Sequence, residues 1–227
     1  MTRPPLFSTA SLVLCGLGLL GVVNMACTSV RYTESFVPEG EIHRIVVRSD
    51  AGLVELVGSQ ELRVQRQIRA PESALALSHD VVDGVLVLDA HCTSFLPCAV
   101  DIRVDLPAGI PVEVDLGQGQ VRGSGLSDLA LELDEGEALV ELSGDLRASI
   151  GAGRLSARLS HEAQARVGVG QGDIEIEVLS GSWDVDADTE RLQLIGMESE
   201  DDGGGSLELT APAGTVVVRG AAGVASR

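Results

Sequence analysis

Lysine is absent from this chain: all 16 of its basic side chains are Arg, set against 34 acidic ones, for a formal charge of −18. Aromatic residues are also scarce, limited to Phe7, Tyr32, Phe36, Phe95 and Trp183. Phosphate binding needs clustered positive charge and single-strand binding needs aromatic stacking platforms, so nucleic acid is excluded as a partner. Aromatic-lined sugar sites and methyl-ammonium cages are disfavoured for the same reason. The four His (His43, His79, His91, His161) are scattered, and neither a nucleophile-elbow Gly-x-Ser-x-Gly nor a P-loop is present. The chain is aliphatic, with 44% hydrophobic residues and 27 Gly. That suffices for a core in one or at most two small domains.

There is one long uncharged run, residues 6–23, preceded by Arg3 and followed by Asn24-Met25-Ala26-Cys27. At 18 residues it sits at the lower limit for crossing a bilayer. A basic start, an apolar middle and a small residue before Cys describe an export signal. The segment resembles a bacterial lipoprotein signal, which implies lipid attachment at Cys27; cleavage without lipid and retention as an anchor are the alternatives. Each places the rest of the chain outside the cytoplasm. All 34 acids lie beyond this segment, so the exported part is strongly acidic.

Three-residue turn signals recur at Gly117-Gln118-Gly119, Asp134-Glu135-Gly136, Gly151-Ala152-Gly153, Gly170-Gln171-Gly172 and Asp188-Thr189-Glu190, about 18 residues apart. Gly and Asp suit tight turns. Apolar residues alternate on both sides: Val112, Val114 and Leu116 before the first turn, and Ala138, Val140 and Leu142 after the second. Closing turns follow at Ser124-Gly125, Ser143-Gly144, Ser160-His161 and Ser180-Gly181. A unit of strand, turn, strand and turn cannot bury its apolar face alone, but stacked units can. The expected fold is therefore all-β: a single-domain β-solenoid of two-strand rungs around a thin aliphatic core. An antiparallel sandwich of hairpins would need no such fixed period.

The expected layout is a signal segment at 1–27, a tether at 28–41 and the solenoid over 42–220. Within it lie an opening rung around Asp50-Ala51-Gly52, an irregular cap at 59–110 and regular rungs at 111–197; a tail follows at 221–227. The cap holds strand-like runs at 62–68, 81–88 and 100–106. Among outward positions, Ser124, Glu141, Arg158, Glu177 and Ile195 form one column with alternating charge, read as scaffold. Asp115, Glu132, Ser149, Gly168 and Asp186 form another.

The run from Val104 to Val114, Val-Asp-Leu-Pro-Ala-Gly-Ile-Pro-Val-Glu-Val, followed by rungs such as Gly170-Gln171-Gly172-Asp173-Ile174, resembles the bacterial putative-adhesin family of cell-envelope β-solenoid domains. The resemblance covers most of residues 42–220. It implies the architecture and an envelope location and brings no shared catalytic residues. Only Gly172-Asp173-Ile174 keeps the Gly-Asp-aliphatic form; Gln120, Glu137 and Arg154 fill the Asp place elsewhere, so no repeated ligand is expected there.

Cys92 and Cys98 are the only thiols left once Cys15 and Cys27 are set aside, and an oxidising compartment favours a disulfide between them. The alternative, His91, Cys92 and Cys98 as metal ligands, lacks a fourth ligand and has the wrong spacing. The acidic run 198–202 beside Gly203, Gly204 and Gly205 could hold calcium, yet it follows neither EF-hand nor calcium-roll spacing and reads as a solvated loop. No catalytic residue, cofactor or metal is expected. The expectation is a non-catalytic exported envelope module for adhesion, surface display or scaffolding, with a protein or cell-surface partner. An envelope regulator that binds a protein partner is the alternative, and a polysaccharide-acting β-helical enzyme a weaker one.

Overall fold

The computed structural model describes residues 30–70, 74–93, 98–160, 163–197 and 204–220. The export segment with Cys15 and Cys27, His161, the acidic run 198–202 and the tail lie outside the described residues. Every regular element is a strand: β1 Val30–Phe36, β2 Arg44–Ser59, β3 Arg63–Ala70, β4 Leu75–Val82, β5 Val85–Cys92, β6 Ala99–Pro107, β7 Val112–Leu126, β8 Leu129–Leu142, β9 Leu146–Leu159, β10 Gln164–Val178, β11 Trp183–Ile195 and β12 Gly205–Gly220. The fold is the expected single-domain β-solenoid.

The long strands are rungs bent at a glycine corner. β8, for example, runs through Asp134-Glu135-Gly136 without losing its pairing to β9. All twelve strands belong to one continuous hydrogen-bonded sheet that the corners divide: residues before the corners form its first half, the first sheet, those after them its second, and the inward columns of both feed one core. Rungs β2, β7, β8, β9 and β10 stack in parallel register. Val47, Val114, Leu131, Ala148 and Val167 thus form one buried column, and Ile174, Leu155, Ala138 and Val121 another. At ~1.5–3 kcal/mol per large aliphatic side chain, these columns supply the main driving force for folding.

The corners stack through their backbones. Gly52, Gly119, Gly136, Gly153 and Gly172 all have φ between +134° and +147°. A Cβ on Gly119, Gly136, Gly153 or Gly172 would overlap the carbonyl oxygen of the preceding corner glycine, and one on Gly214 would overlap that of Gly172. Only glycine supplies both this φ and this absence of volume.

At the C-terminal end, spatial order departs from chain order. β12 pairs with β10 on one side and β11 on the other, so the last strand lies inside the stack and β11 ends it. The reason is the corner. Six residues separate the column positions Gly168 and Ile174 of β10, as they do Thr210 and Val216 of β12, whereas Asp188 and Leu192 of β11 are only four apart. Asp188-Thr189-Glu190 also lacks the glycine that stacking requires. β11 instead crosses with a register shift between Thr189 and Arg191, and Thr189 Oγ1 donates to the Gly214 carbonyl at 3.1 Å. Two expected columns change accordingly. Gly168 is followed by Thr210 and Asp188 rather than Asp186, and Arg219 stands between Glu177 and Ile195.

The β cap is built of strands that leave the 18-residue period yet continue both sheets. β6 extends the second sheet parallel to β2 and β3 follows antiparallel to β6, while the β4–β5 hairpin extends the first sheet with β5 parallel to β2. The run 81–88, expected as one strand, is a hairpin tip: Val82 faces Val85 around Asp83 (φ 50°) and Gly84 (φ 73°). Asp-Gly between alternating apolar residues is the usual signature of that turn. Residues 30–36, expected within the tether, form β1 at the edge of the second sheet, because Tyr32, Glu34 and Phe36 alternate in phase with Ile68, Arg66 and Val64 of β3.

Arg66 occupies an inward position, 1% exposed, between Val64 and Ile68. Its Nη1 donates to Glu34 Oε1 at 3.1 Å and its Nη2 to the Ser78 carbonyl, while its guanidinium lies 5.5 Å from the Phe36 ring centre. Phe36 stacks on His79 at 4.2 Å. The solenoid is thus sealed at this end by a polar plug. At the other end Leu192 and Leu194, inward in register, remain exposed.

Candidate functional site

A groove of about 450 Å³ lies on the outer face of the second sheet, a volume within the usual range of ligand sites. Three outward columns build this face. One runs Glu55, Arg122, Leu139, Ser156 and Glu175; its neighbour runs Val57, Ser124, then Glu141, Arg158, Glu177 and Arg219. The third, beside the corners, holds Gln120, Glu137, Arg154 and Asp173. Ser124 and Ser156 are short among long neighbours, which hollows the face. The register shift of β7 between Gly123 and Leu126 adds local irregularity at the groove's edge.

The column expected as scaffold therefore lines the groove. Arg158 donates from Nε and Nη2 to Glu177 Oε2 at 2.9 and 2.8 Å, and these bonds, with the nearby Glu141 charge, hold its pKa above the ordinary guanidinium value. Arg219 Nε reaches Glu175 Oε1 at 3.0 Å. Arg103 binds Asp105 and Glu55, and its pKa is likewise raised, first by the hydrogen bond to Asp105. Arg154 and Asp173 approach to 3.6 Å. Asp173, the one residue keeping the Gly-Asp form, accepts the Thr215 N–H of β12 at 3.0 Å, and Asp101 does the same for Leu53 N–H at 3.1 Å. That Asp ties one rung to the next.

Leu139 and Arg122 stand out within this face. Leu139 is 59% exposed and is the one apolar side chain among the outward positions of β7 to β10 after their corners. Arg122 has one bond, to Gln120 Oε1 at 3.1 Å, since Glu55, its register partner, is held by Arg103 at 2.8 Å. Sequence reasoning passed over both. The signal for Leu139 was present in Glu137-Ala138-Leu139-Val140-Glu141, where an aliphatic residue breaks the polar phase.

The other candidates fall elsewhere. Asp115 and Glu132 are adjacent and exposed on the outer face of the first sheet, away from the groove. A second hollow on that face, about 90 Å³, is lined by Asp145, Arg147, Gln164, Arg166, Ser206 and Glu208, with Arg147 directly opposite Arg166. Cys92 and Cys98 form a disulfide with Cα atoms 6.0 Å apart. Asp50, at the opening corner, accepts the Cys92 N–H at 2.6 Å and faces His91 Nδ1 at 3.2 Å. Gly205, which closes the acidic run, leaves room for the buried Trp183 ring, whose Nε1 donates to the Ser180 carbonyl at 2.9 Å. Among the described residues no group of three or more His, Cys, Asp or Glu is arranged to hold a metal ion, and no helix is long and apolar enough to cross a membrane.

The fold is shared with a solved bacterial protein. A putative cell adhesion protein from Clostridium sporogenes is 13% identical and superposes with a TM-score of 0.53, covering 84% of this chain and 99% of its own. A putative adhesin from Bacteroides fragilis is 10% identical with a TM-score of 0.36, covering 86% and 98%. A putative lipid binding protein from Parabacteroides distasonis is 10% identical with a TM-score of 0.35, covering 84% and 94%. No protein-family model and no curated protein matches the chain. The likeness to the Clostridium sporogenes protein is one of fold.

Proposed function

We propose that this protein is a non-catalytic, exported cell-envelope module that engages its partner through the grooved face of the second sheet. The observation that carries this reading is the groove itself, an open hollow of about 450 Å³ on the face where Arg and carboxylate side chains are interleaved. Of the four carboxylates that line it, Glu55, Glu175 and Glu177 are each bonded to an Arg, and Glu141 stands beside Arg158 in the same column. The export segment supports delivery outside the cytoplasm, with lipid attachment at Cys27 as the anchoring mode. The fold shared with the Clostridium sporogenes protein supports a surface role.

The test combines location and binding. Mass spectrometry of the mature full chain should find a lipidated or cleaved N-terminus, and an intact Met1 in a cytoplasmic fraction would overturn the export reading. The purified protein should bind intact envelopes, and Ser156→Arg, which fills the groove, should abolish that binding while Glu132→Arg on the other face leaves it in place. Equal binding by both variants would remove the groove from the function. The alternative, a regulator that captures a protein partner at the solenoid's end, draws on the exposed Leu192, Leu194 and Ile195 of β11. It requires that Leu194→Glu, and not Ser156→Arg, eliminate capture.

A further inference from the structure

We infer that Arg122 and Leu139 form a recognition pair for a polypeptide segment that presents a carboxylate beside an aliphatic side chain. This rests on the reading of the groove as the binding face and names what it takes.

The two residues are direct cross-strand neighbours, Arg122 on β7 opposite Leu139 on β8, so their stems lie ~4.8 Å apart on one face. Single exposed leucines are ordinary on protein surfaces. This one differs in its setting, on the wall of the groove beside a guanidinium that the surrounding carboxylates have left available. Arg103, Arg154, Arg158 and Arg219 all meet a carboxylate on the same face. Arg122 uses its Nη2 for the Gln120 amide oxygen alone. A guanidinium carries five N–H donors in a planar fork, so most of its donors remain for a bidentate carboxylate.

The rest of the groove narrows the ligand class. Glu55, Glu141, Glu175 and Glu177 line it as well, which opposes a polyanion and favours a ligand with one anionic group at Arg122. Its apolar wall is Leu139 and Val57. Sugars pack on aromatic faces, whereas aliphatic side chains pack on aliphatic ones, so a polypeptide fits better than a glycan. Ser124 and Ser156 flank the pair with hydroxyls that can donate to or accept from a peptide backbone.

The experiment uses the full chain, solubilised in mild detergent, to select from a library of displayed random 12-residue peptides. Selected peptides should share Asp or Glu next to Leu, Ile or Val. Arg122→Gln should weaken them on the order of ten- to a hundredfold, as expected for loss of a charge-assisted hydrogen bond. Leu139→Ser should weaken them as well, and Arg122→Lys should recover part of the binding through its charge. Both side chains are exposed, so unchanged thermal melts will confirm that the variants are folded. A selected motif that lacks the acid, or binding unaffected by Arg122→Gln, would overturn the inference. Binding to polygalacturonate that disappears in Arg122→Gln would overturn it in favour of a glycan. Failure of the peptides while Ser156→Arg still abolishes envelope binding would sink this inference alone and leave the groove reading standing.

Discussion

Replacing Gly136 by Ala tests the idea that the backbone stack of corners holds the rungs together. Gly136 has φ +147°, and a Cβ there would overlap the Gly119 carbonyl oxygen. Alanine in a positive-φ conformation costs ~1–2 kcal/mol. Forcing a methyl against backbone that cannot rotate away adds an overpacking cost of ~1–3 kcal/mol. The sum, about 2–5 kcal/mol, is a large share of the ~5–15 kcal/mol that separates folded from unfolded domains. Gly168→Ala is the matched control, because that glycine has no atom within 4 Å of the added Cβ and lies outside the positive-φ set. It should be neutral or stabilising by up to about 1 kcal/mol, through the entropy of the unfolded chain. Urea unfolding of the two variants beside the parent, followed by circular dichroism, gives the comparison. If Gly136→Ala unfolds within about 0.5 kcal/mol of the parent, the corner stack does not restrain the rungs. If both variants lose the same amount, the effect is one of strand preference and the stacking argument fails.

Three further outcomes are expected. Reducing the Cys92–Cys98 bond, which closes a loop with a sequence separation of 6, should lower stability by ~2–3 kcal/mol on the chain-closure estimate, and an unchanged melting temperature in reductant would contradict it. Arg147→Glu should stabilise by ~0.2–1 kcal/mol, because it replaces a like-charge pair opposite Arg166 with an attractive one; a lower urea midpoint would refute this. Leu139→Ala should change the unfolding free energy in urea by less than about 0.5 kcal/mol, since the side chain is 59% exposed, and a larger loss would mean that it packs as core.

The solenoid was legible because its rungs obey two simple constraints at once: alternation along the strand and glycine at the corner. Val114, Leu131, Ala148 and Val167 could be aligned from spacing alone, and they share a buried column. The failures arose where one constraint was weighed without the other. Asp188-Thr189-Glu190 kept the spacing but not the glycine, so its rung was placed directly on β10, the place that Ala211-Pro212-Ala213-Gly214 takes. Arg66 was read as one residue in a strand-like run, although a charge in the inward phase between Val64 and Ile68 marks a strand whose core position meets a polar plug. The groove was not legible at all. It depends on which side chains are short in neighbouring rungs, and on which Arg is left over after the carboxylates are shared.

The net charge of −18 is unevenly placed, and this bears on how the molecule meets a surface. On the first sheet the outward residues of β7, β8 and β11 include Glu113, Asp115, Glu132, Asp184, Asp186 and Asp188. Of the Arg on that face, Arg44 and Arg48 are paired with Glu113 and Asp89, and Arg166 is paired with Glu208. On the second sheet Glu55, Asp173, Glu175 and Glu177 each have an Arg within ion-pair distance. Sheets packed face to face usually lie ~10 Å apart before their outward side chains are added, comparable to the screening length of ~8–10 Å at physiological salt. The two faces therefore present separate fields rather than one averaged charge. Any anionic surface would repel the first face more strongly than the second. Within the groove Arg122 bonds the Gln120 amide oxygen, whereas Arg158 and Arg219 each meet a carboxylate.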